Sequence, residues 1–175
     1  MKAYLANGLF SQADFLYNQL IAKRLREEFP DLQLYVPQEN EAINDKTAYA
    51  NSITISRGDD EYLLETSFMV AVIDGVAIDE GVSCEIGKYA GFDMAYQLFT
   101  GAQPRPIFAL FTDIRQQGRD NMEKVHALIK DPVENQFPYR NLYVIGTIKD
   151  TDGKVVPNIE ELIESIRKYI SNKEE

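Results

Sequence analysis

The segment Val72–Phe92 reads VIDGVAIDEGVSCEIGKYAGF and places Asp74, Asp79 and Glu85 directly after an apolar run. Glu85 falls among Ile86, Tyr89 and Ala90, in what the spacing predicts to be a helix starting near Glu80 or Gly81. A helical side chain leans back over the preceding turn. Four residues back lies Gly81, whose missing side chain leaves room above the carboxylate for a ligand. The ordinary alternative is a solvated glutamate near the positive end of a helix dipole. This pattern by itself names no reaction, but other chemistries are poorly supplied. One cysteine, Cys84, allows no intrachain disulfide, and with the one histidine, His126, it cannot build a zinc site. Nothing near His126 supports a Ser–His or Cys–His nucleophile. There is no G-x-G-x-x-G and no G-x-x-x-x-G-K-[ST], so neither a dinucleotide cradle nor a P-loop is supported. No metal and no cofactor is expected.

The elements that must position these carboxylates show in the hydropathy pattern. Short apolar runs at Ala3–Ala6, Leu32–Val36, Phe68–Ile73, Ile107–Phe111 and Leu142–Ile148 read as strands. The third and fourth are apolar at almost every position, as in parallel strands covered on both faces. Helical patterns lie between them. Tyr17, Leu20, Ile21, Leu25 and Phe29 share one face, and Pro30 follows its end. Ile159, Leu162, Ile163, Ile166 and Ile170 form a second stripe, capped by Asn158 with Glu161 three residues on. Gln116–Arg140 is polar and reads as loop plus a short helix, and Asp150–Val156 reads as a turn. The alternation predicts one α/β domain over residues 1–175, doubly wound in the flavodoxin or Rossmann manner, with about five parallel strands. Ligands bind outside the carboxyl ends of such strands. Asn7 and Gly8, Gln38 to Glu41, Asp74 and Asp79, and Asp113 are thereby brought to one edge.

The chain has 175 residues, is 45% hydrophobic and carries a net charge of −10. That surface repels nucleic acid and anionic membrane, so neither is expected as a partner. The opening MKAYLANGLF lacks the long apolar run of a signal peptide, and no stretch approaches a membrane span. A soluble, cytoplasmic protein is expected.

The run DEGVSCEIGKYA, Asp79–Ala90, resembles the D-x-G-x-x-x-E-[LIV]-G-x-A signature of the nucleoside 2-deoxyribosyltransferase family, with one extra residue, Lys88 or Tyr89, before the last alanine. AYLANGLF is similar to that family's first strand and glycine loop, YVPQENEA to its second strand and turn, and FTDIRQQGRDN to the segment after its fourth strand. The resemblance implies that Glu85 is a nucleophile that attacks C1′ of a 2′-deoxynucleoside and forms a deoxyribosyl ester, from which a second base takes the sugar. A carboxylate suits this, because it stabilises an oxocarbenium-like charge and then bonds to it. The family's proton donor to the leaving base corresponds to Asp59, with Asp60 adjacent; its useful state is protonated, so its pKa is expected to be raised. On residue types alone, GDDEY reads equally as an acidic helix start. Tyr4 matches a tyrosine whose hydroxyl holds the nucleophile in one rotamer and leaves it ionised; otherwise it is a core aromatic. Asp79 matches the aspartate that binds a sugar hydroxyl, and Asn121 an asparagine that reaches the sugar from a neighbouring subunit. Asn40 and Glu41 fall where the family contacts the base, and Gly8 and Phe10 are expected to line the base pocket. A homo-oligomer with shared sites, acting on 2′-deoxynucleosides and free nucleobases, is what the resemblance implies.

The chain also departs from the pattern. The charged tail RKYISNKEE keeps Glu175 out of the expected site, the insert near Lys130–Arg140 has no counterpart, and Leu9 stands where an aromatic can occur. Two rivals stay open. A 2′-deoxynucleoside 5′-phosphate N-hydrolase would use the same glutamate but needs a cationic group for the phosphate, for which Arg115 and Arg119 are the candidates. A non-catalytic nucleotide-binding module would not need Glu85, Asp79, Tyr4 and Asp59 together.

Overall fold

The computed structural model describes residues 1–44 and 49–174. Strands β1 (Lys2–Ala6), β2 (Gln33–Tyr35), β3 (Phe68–Val72), β4 (Ile107–Leu110) and β5 (Lys154–Val156) form one sheet in the order β2-β1-β3-β4-β5. Every pairing is parallel. The helices are α1 (Gln12–Glu28), α2 (Glu41–Asn44), α3 (Ser52–Glu65), α4 (Glu80–Thr100), α5 (Met122–Lys130), α6 (Leu142–Asp150) and α7 (Ile159–Glu174). This is the doubly wound α/β fold that the alternation predicts. Glu175, kept out of the site by the sequence reading, lies outside the described residues. No helix among those described is long and apolar enough to cross a membrane.

Alternation along the strands explains their unbroken apolar sequence. Ala3, Leu5, Phe68, Val70, Val72, Phe108 and Leu110 meet Ile21 and Leu25 of α1 and Leu162, Ile163 and Ile166 of α7. The intervening Tyr4, Ala6, Met69, Ala71, Ile73, Ile107 and Ala109 meet Leu63, Val82, Ile86, Tyr89 and Ile148 on the opposite face. With both faces covered, no position of β3 is exposed. In α1 the expected stripe is adjusted: Leu20 is 47% exposed, and Asn18 and Ala22 are buried instead. The α7 stripe is as expected, and Asn158 Oδ1 accepts the Glu161 N–H at 2.8 Å.

The fifth strand is not Leu142–Ile148. That run is helix α6, in which Val144, Ile145 and Ile148 turn inward while Leu142 and Tyr143 are 70% and 85% exposed. Inward positions at i, i+1 and i+4 are helical spacing, and Asn141 Oδ1 caps the start by accepting from Tyr143 N–H at 2.9 Å. The strand comes instead from the segment read as a turn. Asp152 (φ 56°) makes the reversal and Gly153 leads into β5. A side chain at Gly153 would overlap the carbonyl oxygens of Ile107 and Ile148, so the α6–β5 passage requires glycine.

Away from the carboxyl edge, one polar cluster joins α3, α4 and β4. Asp93 is 0% exposed and accepts from Arg105 Nε at 2.9 Å, from the Arg105 backbone N–H at 3.1 Å and from Gln97 Nε2 at 2.6 Å. Arg105 Nη1 also donates to the carbonyls of Leu64 and Thr66, each at 3.0 Å.

Candidate active site

The chain winds in opposite senses on either side of the β1–β3 pair, and the crevice outside the strand ends there is where such sheets bind ligands. Tyr4 on β1 and the segment that follows β3 meet at this point. Tyr4 is 0% exposed, and its hydroxyl donates to Glu85 Oε1 at 2.6 Å. Burial, and then the charges of Glu85 and Asp59, push the Tyr4 hydroxyl far above its ordinary range, so it remains a donor. Burial pushes Glu85 up to about 7; the Tyr4 hydrogen bond works against the rise, and the charges of Asp59 and Asp79 add to it.

Asp59, on α3, accepts from the Tyr35 hydroxyl at 3.1 Å, and Asn40 Nδ2 donates to the same hydroxyl at 3.0 Å. Burial raises the Asp59 carboxyl, the Tyr35 bond pulls it back, and the charge of Asp60 adds to the rise. The sequence reading has Asp59 raised and Glu85 held ionised. Burial is the first cause of the rise at both carboxyls, and a large rise falls on Glu85.

The loop between β3 and α4 is pinned on both sides. Asp74 accepts from the N–H and the hydroxyl of Thr112, each at 2.6 Å. Gly75 takes φ +94°, and Arg140 Nη2 donates to its carbonyl at 2.7 Å while the guanidinium lies 4.1 Å from the Phe111 ring centre. Asp74 therefore shapes the turn, as its place before glycine suggests. Asp79 ends the loop as the cap of α4, with Oδ1 accepting from Val82 N–H at 3.0 Å. Gly81 has a different cause from the one the sequence suggests: a Cβ there would come within 3.0 Å of Asp79 Oδ1. Glycine protects the cap rather than opening space over Glu85.

The remaining residues are spread more widely. Gly8 faces the second oxygens of Asp14 and Asp79, which a Cβ would approach to 3.4 and 3.6 Å. Asn18 holds this end of the crevice together, donating from Nδ2 to Gly8 O at 3.0 Å and to Gln38 Oε1 at 2.9 Å. Phe10 stands at the rim, 82% exposed. Glu41 is exposed at the start of α2. Asn121 is exposed on the β4 side, where Oδ1 caps α5 by accepting from Lys124 N–H at 3.1 Å. Tyr35 and Lys88 were not singled out for this site by sequence. Tyr35 reads as a strand aromatic, and Lys88 shows only as one of the two residues, Lys88 or Tyr89, that interrupt a motif; hydroxyl and ammonium reach the site through partners distant in sequence. A wide groove of about 750 Å³ between α4 and α6 contains none of these residues.

The sequence model of the nucleoside 2-deoxyribosyltransferase family matches residues 3–155. The chain belongs to the nucleoside 2-deoxyribosyltransferase family. Its members are pentosyltransferases, and the match covers every strand up to β5 together with the crevice. A solved structure of a conserved protein from Enterococcus faecalis V583 is 43% identical, with 97% of this chain and 98% of that chain covered and a TM-score of 0.82. A 2-deoxyribosyltransferase from Bacillus psychrosaccharolyticus is 18% identical, with 63% and 72% of the two chains covered and a TM-score of 0.48. No curated protein matches the chain significantly.

Proposed function

We propose that the protein exchanges the base of 2′-deoxynucleosides through a deoxyribosyl ester on Glu85. The observation that carries this is the 2.6 Å bond from buried Tyr4 to Glu85 at the winding reversal of a chain in this family. The bond occupies one carboxylate oxygen and fixes the rotamer, leaving the other oxygen to attack. As C1′ bonds to that oxygen, the bond to the base nitrogen breaks and Asp59 gives its proton to the departing base. A second base attacks C1′ from the original face, the ester C–O bond breaks, and Asp59 takes a proton back. Two displacements return the starting configuration. Asp79 uses its oxygen not spent on the helix cap to grip a sugar hydroxyl. Gly8, Phe10, Asn40 and Glu41 surround the base.

An uncharged nucleoside fits better than a nucleotide. Arg115 is engaged with Asp113, at 2.5 Å, and Arg119 lies 4.8 Å from the Phe137 ring centre. The crevice itself presents Asp14, Asp59, Asp79 and Glu85. Incubation with deoxyinosine and adenine tests the reading. Deoxyadenosine is expected; free deoxyribose alone would make the enzyme a hydrolase, and unchanged substrate would leave a binding module.

Tyr35→Phe gives a pH signature. The Tyr35 hydroxyl donates to the carboxylate form of Asp59 and so favours ionisation; without it the Asp59 pKa rises further. The arm of the rate profile that falls with rising pH, where Asp59 loses its proton, is expected to move to higher pH. An unmoved arm in the variant would remove Asp59 from the proton-donor role.

Asn121 completes the site of a neighbouring subunit in this reading. Glu85→Gln chains, inactive alone, and Asn121→Ala chains, weakly active alone, are then expected to regain activity when mixed and allowed to exchange subunits. No gain on mixing would confine each site to one chain.

A further inference from the structure

Helix α3 carries Asp59 and Asp60 side by side, about 100° apart around its axis, so the rotation of the helix decides how squarely each faces the crevice. Apolar packing fixes that rotation at few points: Leu63 is the buried residue of α3, and the Tyr62 ring stacks on Tyr35 at 3.6 Å. Polar contacts on the crevice side complete the setting. Lys88, three residues after Glu85 on α4, donates to Asp60 Oδ2 at 2.5 Å, with the two side chains 35% and 23% exposed. Among the described residues this is the ion pair that joins α3 to α4. We propose that Lys88 is a positioning residue, whose ion pair with Asp60 sets the rotation of α3 so that Asp59 rather than Asp60 faces Glu85.

The inference rests on the functional reading above and also explains the residue that interrupts the motif. A lysine placed one turn beyond the nucleophile reaches across to the neighbouring helix and orients the acid. The groups that bear on Asp59 are Tyr35 from β2, Tyr4 from β1, Glu85 from α4 and Asp60 on its own helix, with Lys88 of α4 facing Asp60.

Two variants break the pair from opposite ends. Lys88→Met leaves a bare Asp60 carboxylate beside Asp59 and is expected to raise the Asp59 pKa. Asp60→Asn removes that charge and is expected to lower it. Both are expected to lose about tenfold in kcat through misplacement of the acid, and Lys88→Arg is expected to restore it. A partly exposed pair contributes modestly to stability, so melting should shift by only about 2 °C. The measurements are kcat with deoxyinosine and adenine, and carboxyl-carbon NMR titration of Asp59, which needs no turnover. Opposite shifts with matched losses of kcat support the inference; opposite shifts with kcat kept mean that Asp60 acts on Asp59 by charge alone and overturn it. Asp59 titrating in both variants as in the parent protein overturns it, whichever reaction the protein performs. If the parent protein transforms no deoxynucleoside the transferase reading falls, and α3 backbone amide resonances displaced in Lys88→Met and restored in Lys88→Arg still support the orientation by Lys88.

Discussion

Glu85→Gln is expected to abolish base exchange and, above neutral pH, to stabilise the fold. The amide keeps the size of the side chain and can still accept from Tyr4, but it cannot form a glycosyl ester. Loss of a nucleophile is expected to lower kcat by roughly four orders of magnitude. The stability gain follows from burial. The Glu85 carboxyl is pushed from an ordinary 4.5 up to about 7 on folding. Between those values the folded chain holds more protons than the unfolded chain, so stability falls as pH rises through that window and stays lost above it. Gln carries no charge there. After allowance for access of water, the variant is expected to gain on the order of 1–2 kcal/mol at pH 8, or roughly 3–6 °C in Tm, with little difference at pH 4.5. Scanning calorimetry at both pH values, beside the exchange assay, checks this. Near-parental transfer by Glu85→Gln would end the role assigned to Glu85, and a lower Tm at pH 8 would contradict the strain assigned to it.

Asp93→Ala is expected to do the reverse. Asp93 lies two turns further along α4, fully buried, and it compensates a guanidinium whose side chain is only 14% exposed. Its removal leaves Arg105 buried beside two carbonyls and the Tyr89 ring with no anion. Breaking such a pair from one side costs about 3–5 kcal/mol, roughly 10 °C in Tm for a chain of this size. Replacing both partners, Asp93→Leu with Arg105→Met, is expected to lose less than Asp93→Ala alone, because no buried charge remains. Denaturant titration of the three variants decides this; a double variant as damaged as the sum of the singles would mean that the pair holds the fold through something other than charge. One helix thus carries two carboxyls withdrawn from water, with opposite effects. Among the described residues Glu85 has a hydroxyl donor and no ion pair and is strained; Asp93 has a guanidinium and is stabilised.

Much of this was legible in the order of residues. Apolar positions at β3 and β4 announce strands covered on both faces, because a solvated face would require polar residues at alternate positions. The α7 stripe and its Asn158 cap are local and survive tertiary context. The family was legible because Asp79, Gly81 and Glu85 keep their spacing. Failures came where local pattern is ambiguous. The run Leu142–Ile148 holds apolar residues at both strand and helix spacings, and only docking of Val144, Ile145 and Ile148 on the sheet chooses helix. β5 has two valines and no run to detect; it is a strand because β4 offers it an open edge.

By itself, the sequence determined the fold class, the family, and the placement of Glu85, Asp79 and Tyr4 at one end of a parallel sheet, since periodicity and motif spacing are properties of the chain. Tertiary structure alone decided how the carboxyls differ. The rise of Glu85, the Tyr35–Asp59 bond, the Lys88–Asp60 pair and the neutralisation of Asp93 by Arg105 depend on burial and on partners distant in sequence. A carboxylate has the same formula wherever it stands in the chain, and its charge is set by which of these surroundings the fold brings to it.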